Sequence, residues 1–233
     1  MTTACRIVSI ACLASIFVSP EAAAQVPIRS AHIVFTAPRS AGSERLLEEL
    51  ERAYLHVRAW GLRLPSRVAV WGYSTSASYV RGSRAPSATL AATVRESIHL
   101  QPVDILLRQG ALTRTLRHEM AHVALDGAAR HGLPRWFNEG LAMLVAGERQ
   151  IETVRFRSLG ALEHGLGSKN DHAKTRSAYE TARRLLSRLE EEHGRARIAT
   201  LAHAVSHGGG FPDRFRELTG CWPDVWAAGR LAR

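Results

Sequence analysis

The chain is predicted to be α+β: an N-terminal α/β lobe on a mostly antiparallel or mixed sheet, then a C-terminal helical lobe, with a cleft between them. Three observations carry this. Short β-rich runs interrupted by one amphipathic helix occupy the chain up to about residue 110. Beyond Pro102 the apolar spacing turns helical and stays so. With 233 residues, 45% of them hydrophobic, the chain is long enough for one domain or for two lobes sharing a core.

The elements follow in order. Arg6, the apolar run from Ile7 to Val18, and Ala22-Ala23-Ala24 before Gln25 have the pattern of a secretory signal peptide. Residues 1 to 24 are therefore expected to be removed. The run is short for a bilayer, so no transmembrane segment is expected after cleavage, and the mature chain is expected in the periplasm or outside the cell. HIVFTA reads as a strand. Residues 43 to 60 read as a helix, because Leu46, Leu47, Leu50, Tyr54, Leu55 and Val57 recur near a 3.6 period, and Gly61 ends it. Residues 67 to 72 form a second strand, and SASYVRGSR a loop or short helical turn. Residues 88 to 94 and 97 to 101 are two strands separated by Arg95 and Glu96, which predicts an antiparallel hairpin. Residues 25 to 110 are expected to make the first lobe and 111 to 233 the second, together forming one domain.

Composition narrows the function. The formal charge is +10. The basic residues are nearly all arginine, Lys169 and Lys174 being the only lysines, and they are scattered instead of forming a block. No nucleic-acid partner is expected. Cys5 and Cys12 lie in the signal segment, so Cys221 is alone in the mature chain and reads as a small buried hydrophobe.

The chemistry sits in HEMAH, residues 118 to 122. On a helix, residues four apart project from one face, so His118 and His122 can meet one zinc ion from one rigid element. Glu119, one position round, can reach a water there without being a ligand. Residues 111 to 125 read as a helix with Leu112, Leu116, Met120 and Val123 as its buried stripe. The loop DGAARHG returns the chain to LPRWFNEGLAMLV, where Pro134 suits a first helical position and Glu139 follows about one and a half turns in. Gly140 would let these two helices approach closely. Trp136 and Phe137 read as packing anchors.

HEMAHVAL followed by LPRWFNEGLA resembles the gluzincin metallopeptidases of the peptidase MA-like group, in which HExxH precedes a helix bearing a glutamate ligand in a WxxEGxA context. The likeness covers about residues 97 to 228. It implies a zincin-like fold, zinc held by His118, His122 and Glu139, and Glu119 as the catalytic base acting on a zinc-bound water. WFNEGLA is also similar to the alanyl aminopeptidase-like enzymes, but no GxMEN segment precedes it, so endopeptidase action on a peptide or protein substrate fits better. In zincins an edge strand pairs with the substrate backbone, a role open to SIHLQ.

The remaining residues keep alternatives. Tyr179 is the candidate oxyanion partner, with His172 behind it in a stretch that reads as a mobile loop; Tyr179 equally heads an apolar stripe with Ala182, Leu186 and Leu189. Asp126 either accepts the second ring proton of a ligand histidine or caps the helix. His32, His56, His99, His131, His164, His193, His203 and His207 have no ligand spacing. The expected molecule is a monomeric exported zinc endopeptidase. A non-catalytic zincin-like module of the cell envelope, and a basic envelope-binding protein with a fortuitous HEMAH, are the competing readings.

Overall fold

The strands of one mixed sheet and the helices packed behind it place the HEMAH segment beneath a free sheet edge. The computed structural model describes residues 26–38, 42–108, 110–149, 152–168 and 170–231. The expected signal segment, with Cys5 and Cys12, lies outside them. The elements are β1 (Val26–Arg29), β2 (Ile33–Ala37), α1 (Ser43–Ala59), β3 (Val68–Gly72), α2 (Ser76–Ser83), β4 (Ala91–Val94), β5 (Ser97–Leu100) and α3 (Val103–Arg108), then α4 (Leu112–Arg130), α5 (Arg135–Ala146), α6 (Leu159–Leu166), α7 (His172–His193), α8 (Arg195–Ser206), α9 (Phe211–Thr219) and α10 (Pro223–Leu231).

The sheet order is β1-β2-β3-β5-β4, with parallel inner pairs and antiparallel outer ones. Period-two alternation sends Ile33, Phe35, Val68, Val70, Ile98 and Leu100 into the core, all at most 1% exposed. Helices α1 and α4 pack on that face and on each other. One continuous cluster of buried residues runs from Ile33 to Ala227, so sheet and helices share a core. No helix among the described residues is long and apolar enough to cross a membrane.

Several expectations need correction. Strand β1 was not anticipated; Pro27, opposite Thr36, is tolerated there because β1 is an outer strand of the sheet. SASYVRGSR is a full helix, started by a capping box between Thr75 and Ser78. SIHLQ supplies β5, which is interior, so the exposed edge beside α4 belongs to β4. The hairpin forms as expected, with Ser97 opposite Val94. Its first turn residue, Arg95, has φ 56, a conformation that costs a non-glycine residue roughly 1–2 kcal/mol.

Helix α4 continues through DGAAR, where a loop was expected, to Arg130. Packing overrides the glycine there: a Cβ on Gly127 would lie 3.3 Å from Ser206 of α8, so the bare position lets the two helices close together. Gly140 has the predicted effect against a different partner. A Cβ there would fall 2.5 Å from the Ala182 carbonyl oxygen, so it admits α7, not α4. Cys221 is exposed, contrary to its reading as a buried hydrophobe. Trp136 and Phe137 are buried, as expected, in edge-to-face contact with Phe211, and Phe215 extends the cluster to Trp226.

Candidate metal centre

Helices α4 and α5 are packed neighbours, and the side chains of His118, His122 and Glu139 converge between them. His118 Nε2 and His122 Nε2 are 3.0 Å apart. Glu139 Oε2 lies 3.3 Å from His122 Nε2 and 3.8 Å from His118 Nε2. The donor set fits zinc. At zinc–ligand distances of ~2.0–2.1 Å, tetrahedral geometry separates neighbouring donors by about 3.3 Å, close to all three spacings. The three side chains are 14–17% exposed, which leaves one side of the cluster open.

One further group orients His122, and another stands close to His118. His122 Nδ1 is 3.2 Å from Asn138 Oδ1, so the ring donates from Nδ1 and leaves Nε2 with its lone pair inward. His118 Nδ1 is buried without a hydrogen-bond partner, and Glu148 Oε2 stands 3.4 Å away, outside hydrogen-bonding alignment but within ion-pair range. Glu148 is brought there by the turn that ends α5, where Gly147 takes φ 70 and the Glu148 N–H bonds the Met143 carbonyl. Asp126 does neither thing proposed for it; it pairs with Arg130 on its own helix.

Electrostatics tie the cluster together in the metal-free chain. Burial acts to lower the His122 pKa, but the charge and hydrogen bond of Glu139 outweigh it and raise it to about 9. Burial likewise acts to raise the pKa of Glu139, and His122, His118 and Arg135 bring it down to about 2. At neutral pH the pair holds its proton on the imidazole, so a cation is already favoured where these atoms meet.

Glu119 is 8% exposed and points to the sheet edge. The Thr93 hydroxyl of β4 lies 2.8 Å from Glu119 Oε2 and 3.0 Å from its carbonyl oxygen, and its single proton serves one acceptor at a time. Thr93 was missed from sequence. A usable signal existed: a polar residue on the core face of a strand, in step with Ala91, needs a buried partner.

Tyr179 lies on α7, partly buried, while Ala182, Leu186 and Leu189 of the same stripe are fully buried. Burial pushes its hydroxyl pKa up to about 12, Glu139 adds to the shift, and the charge of Arg135 opposes it. The hydroxyl therefore stays protonated across the physiological range. Arg135 also approaches Glu139 Oε1 at 3.6 Å, so one guanidinium spans Tyr179 and the third candidate ligand. His172 is corrected: it begins α7, exposed, instead of lying in a loop. Three other histidines are held elsewhere, His32 by Glu51, His56 by the Val145 carbonyl and His99 by Tyr73.

No protein-family model matches this chain, and no curated protein matches it significantly.

Proposed function

We propose that the protein is an exported zinc-dependent endopeptidase of zincin-like architecture, with His118, His122 and Glu139 as metal ligands and Glu119 as general base. The observation that carries this reading is the convergence of two imidazole nitrogens and a carboxylate oxygen at zinc spacing, with a second carboxylate beside them that is not part of the ligand set.

Zinc in this setting supplies Lewis acidity, polarising a carbonyl and bringing the pKa of water down to about 7. The chain's own residues do the rest. Glu119 takes a proton from the attacking water and delivers it to the leaving amine, and Thr93 holds its carboxylate in position. The neutral Tyr179 hydroxyl, beside the Arg135 charge, donates to the oxygen that gains charge as the carbonyl becomes tetrahedral. The free edge of β4, adjoining Glu119 through Thr93, offers its backbone groups to an extended peptide.

Substituting Glu119→Gln tests the reading. It should leave fold and zinc content unchanged and lower peptide hydrolysis by about 10³-fold. A variant that cleaves at the wild-type rate sinks the mechanism. The competing non-catalytic zinc module predicts full zinc and no hydrolysis in wild type and variant alike.

A further inference from the structure

An open groove of about 800 Å³ adjoins the end of β4. Four arginines line it, Arg67, Arg84, Arg95 and Arg130, against one glutamate, Glu96. Glu96 and Asp126 both pair with Arg130. No carboxylate pairs with Arg67, Arg84 or Arg95 among the described residues. Three arginines with no carboxylate partner among the described residues therefore line one volume.

The backbone adds a second observation. Among the described residues only two other than glycine have positive φ, Arg84 at 59 and Arg95 at 56, and both line this groove. Arg84 ends α2 and Arg95 opens the β4–β5 turn, positions at which chains ordinarily place glycine or asparagine. Strain retained at two positions facing one cavity points to a use for the side chains.

The third observation is place. Thr93 touches Glu119, and the next two residues, Val94 and Arg95, line the groove. Arg130 closes it from the far end of α4, the helix that carries Glu119. Two strand residues span about 7 Å and eleven helical residues about 16 Å, so a peptide extended along β4 from Glu119 reaches the end of the strand, where the groove opens, after roughly two to five residues.

We infer that the groove selects substrates, and that the peptides cleaved are those carrying aspartate or glutamate side chains at a fixed offset of about two to five residues from the scissile bond. Guanidinium groups pair with carboxylates through charge-assisted, often bidentate hydrogen bonds, which fix position as well as charge. The inference rests on the endopeptidase reading and deepens it by naming the substrate class.

The test is cleavage of a degenerate peptide library by the purified protein, followed by kinetics on a selected acidic peptide and its Gln/Asn counterpart. The wild type should enrich Asp or Glu at one position within that window, and salt should weaken the preference. Arg84→Gly with Arg95→Gly removes two charges and relaxes both backbones. It should raise KM for the acidic peptide about tenfold, leave kcat and the Gln/Asn peptide unchanged, and hold or raise Tm, a combination that a purely structural role for these arginines does not produce. Arg67→Gln, at an ordinary backbone position, should repeat the KM effect without the Tm change. Cleavage without acidic preference, or a preference that survives the double substitution, overturns the inference while sparing the endopeptidase reading. So does a double variant that loses only its affinity for an anionic polymer such as polyphosphate. A wild-type protein that binds zinc but cleaves no member of the library overturns both.

Discussion

Two pairs of histidines in this chain share one local geometry and differ in what faces them. His118 and His122 stand four residues apart on α4, with ring centroids 4.7 Å apart at 73°. His203 and His207 stand four apart on α8, 4.2 Å apart at 69°. The first pair meets the Glu139 carboxylate. The second meets the Arg63 guanidinium, bonded to His203 Nε2. Burial and then Arg63 move the His203 pKa down, whereas Glu139 drives that of His122 up to about 9. Spacing on a helix supplies two imidazoles; the third group decides whether they attract a cation or repel one.

The comparison can be broken most severely by exchanging the third group. Glu139→Arg should make the first pair resemble the second and abolish zinc binding, with Glu139→Gln giving a partial loss; circular dichroism of both variants separates metal loss from unfolding. Next comes Asn138→Leu, which leaves all three proposed ligands but frees the His122 ring. Loss of such an outer partner costs roughly 10–100-fold in metal affinity, measurable by chelator competition.

A smaller effect concerns protons. In the metal-free chain the raised His122 contributes stability that is complete below its unfolded value of 6.5 and is lost as pH rises through about 9. The depressed Glu139 contributes stability that is complete above 4.5 and is lost as pH falls through about 2. Both contributions are therefore fully present only between pH 4.5 and 6.5. Zinc needs the neutral imidazole, so binding at pH 6, below the range in which a zinc-bound water ionises, should release about one proton, as calorimetry in buffers of different ionisation enthalpy reads directly. Smallest of all, Arg63→Glu should give the α8 pair a weak zinc affinity that the wild-type pair lacks.

These contrasts also explain what was legible in the sequence. His118, Glu119 and His122 lie within one helical turn, and Glu139 follows on the next helix, so local periodicity and a short return were enough to bring them together. The surrounding groups come from farther away. Thr93 reaches Glu119 from a strand 26 residues earlier, and Glu148 arrives only because Gly147 turns the chain back at the end of α5. Tyr179 could be placed on an apolar stripe, but not opposite Arg135, since that depends on how α7 seats over Gly140. The sheet order was equally hidden: alternation predicts strands and their faces, yet nothing in SIHLQ says that β5 lies inside β4. The four-residue spacing of His203 and His207 was readable and passed over, and without Glu139 to compare with Arg63 it had no meaning.

The most direct measurement is a zinc titration of the metal-free, folded wild-type protein. The account predicts about one tight site per chain, the stoichiometry of a single catalytic centre. A folded protein that binds no zinc, or one that binds two equivalents equally tightly because the α8 pair serves as well as the α4 pair, would contradict it.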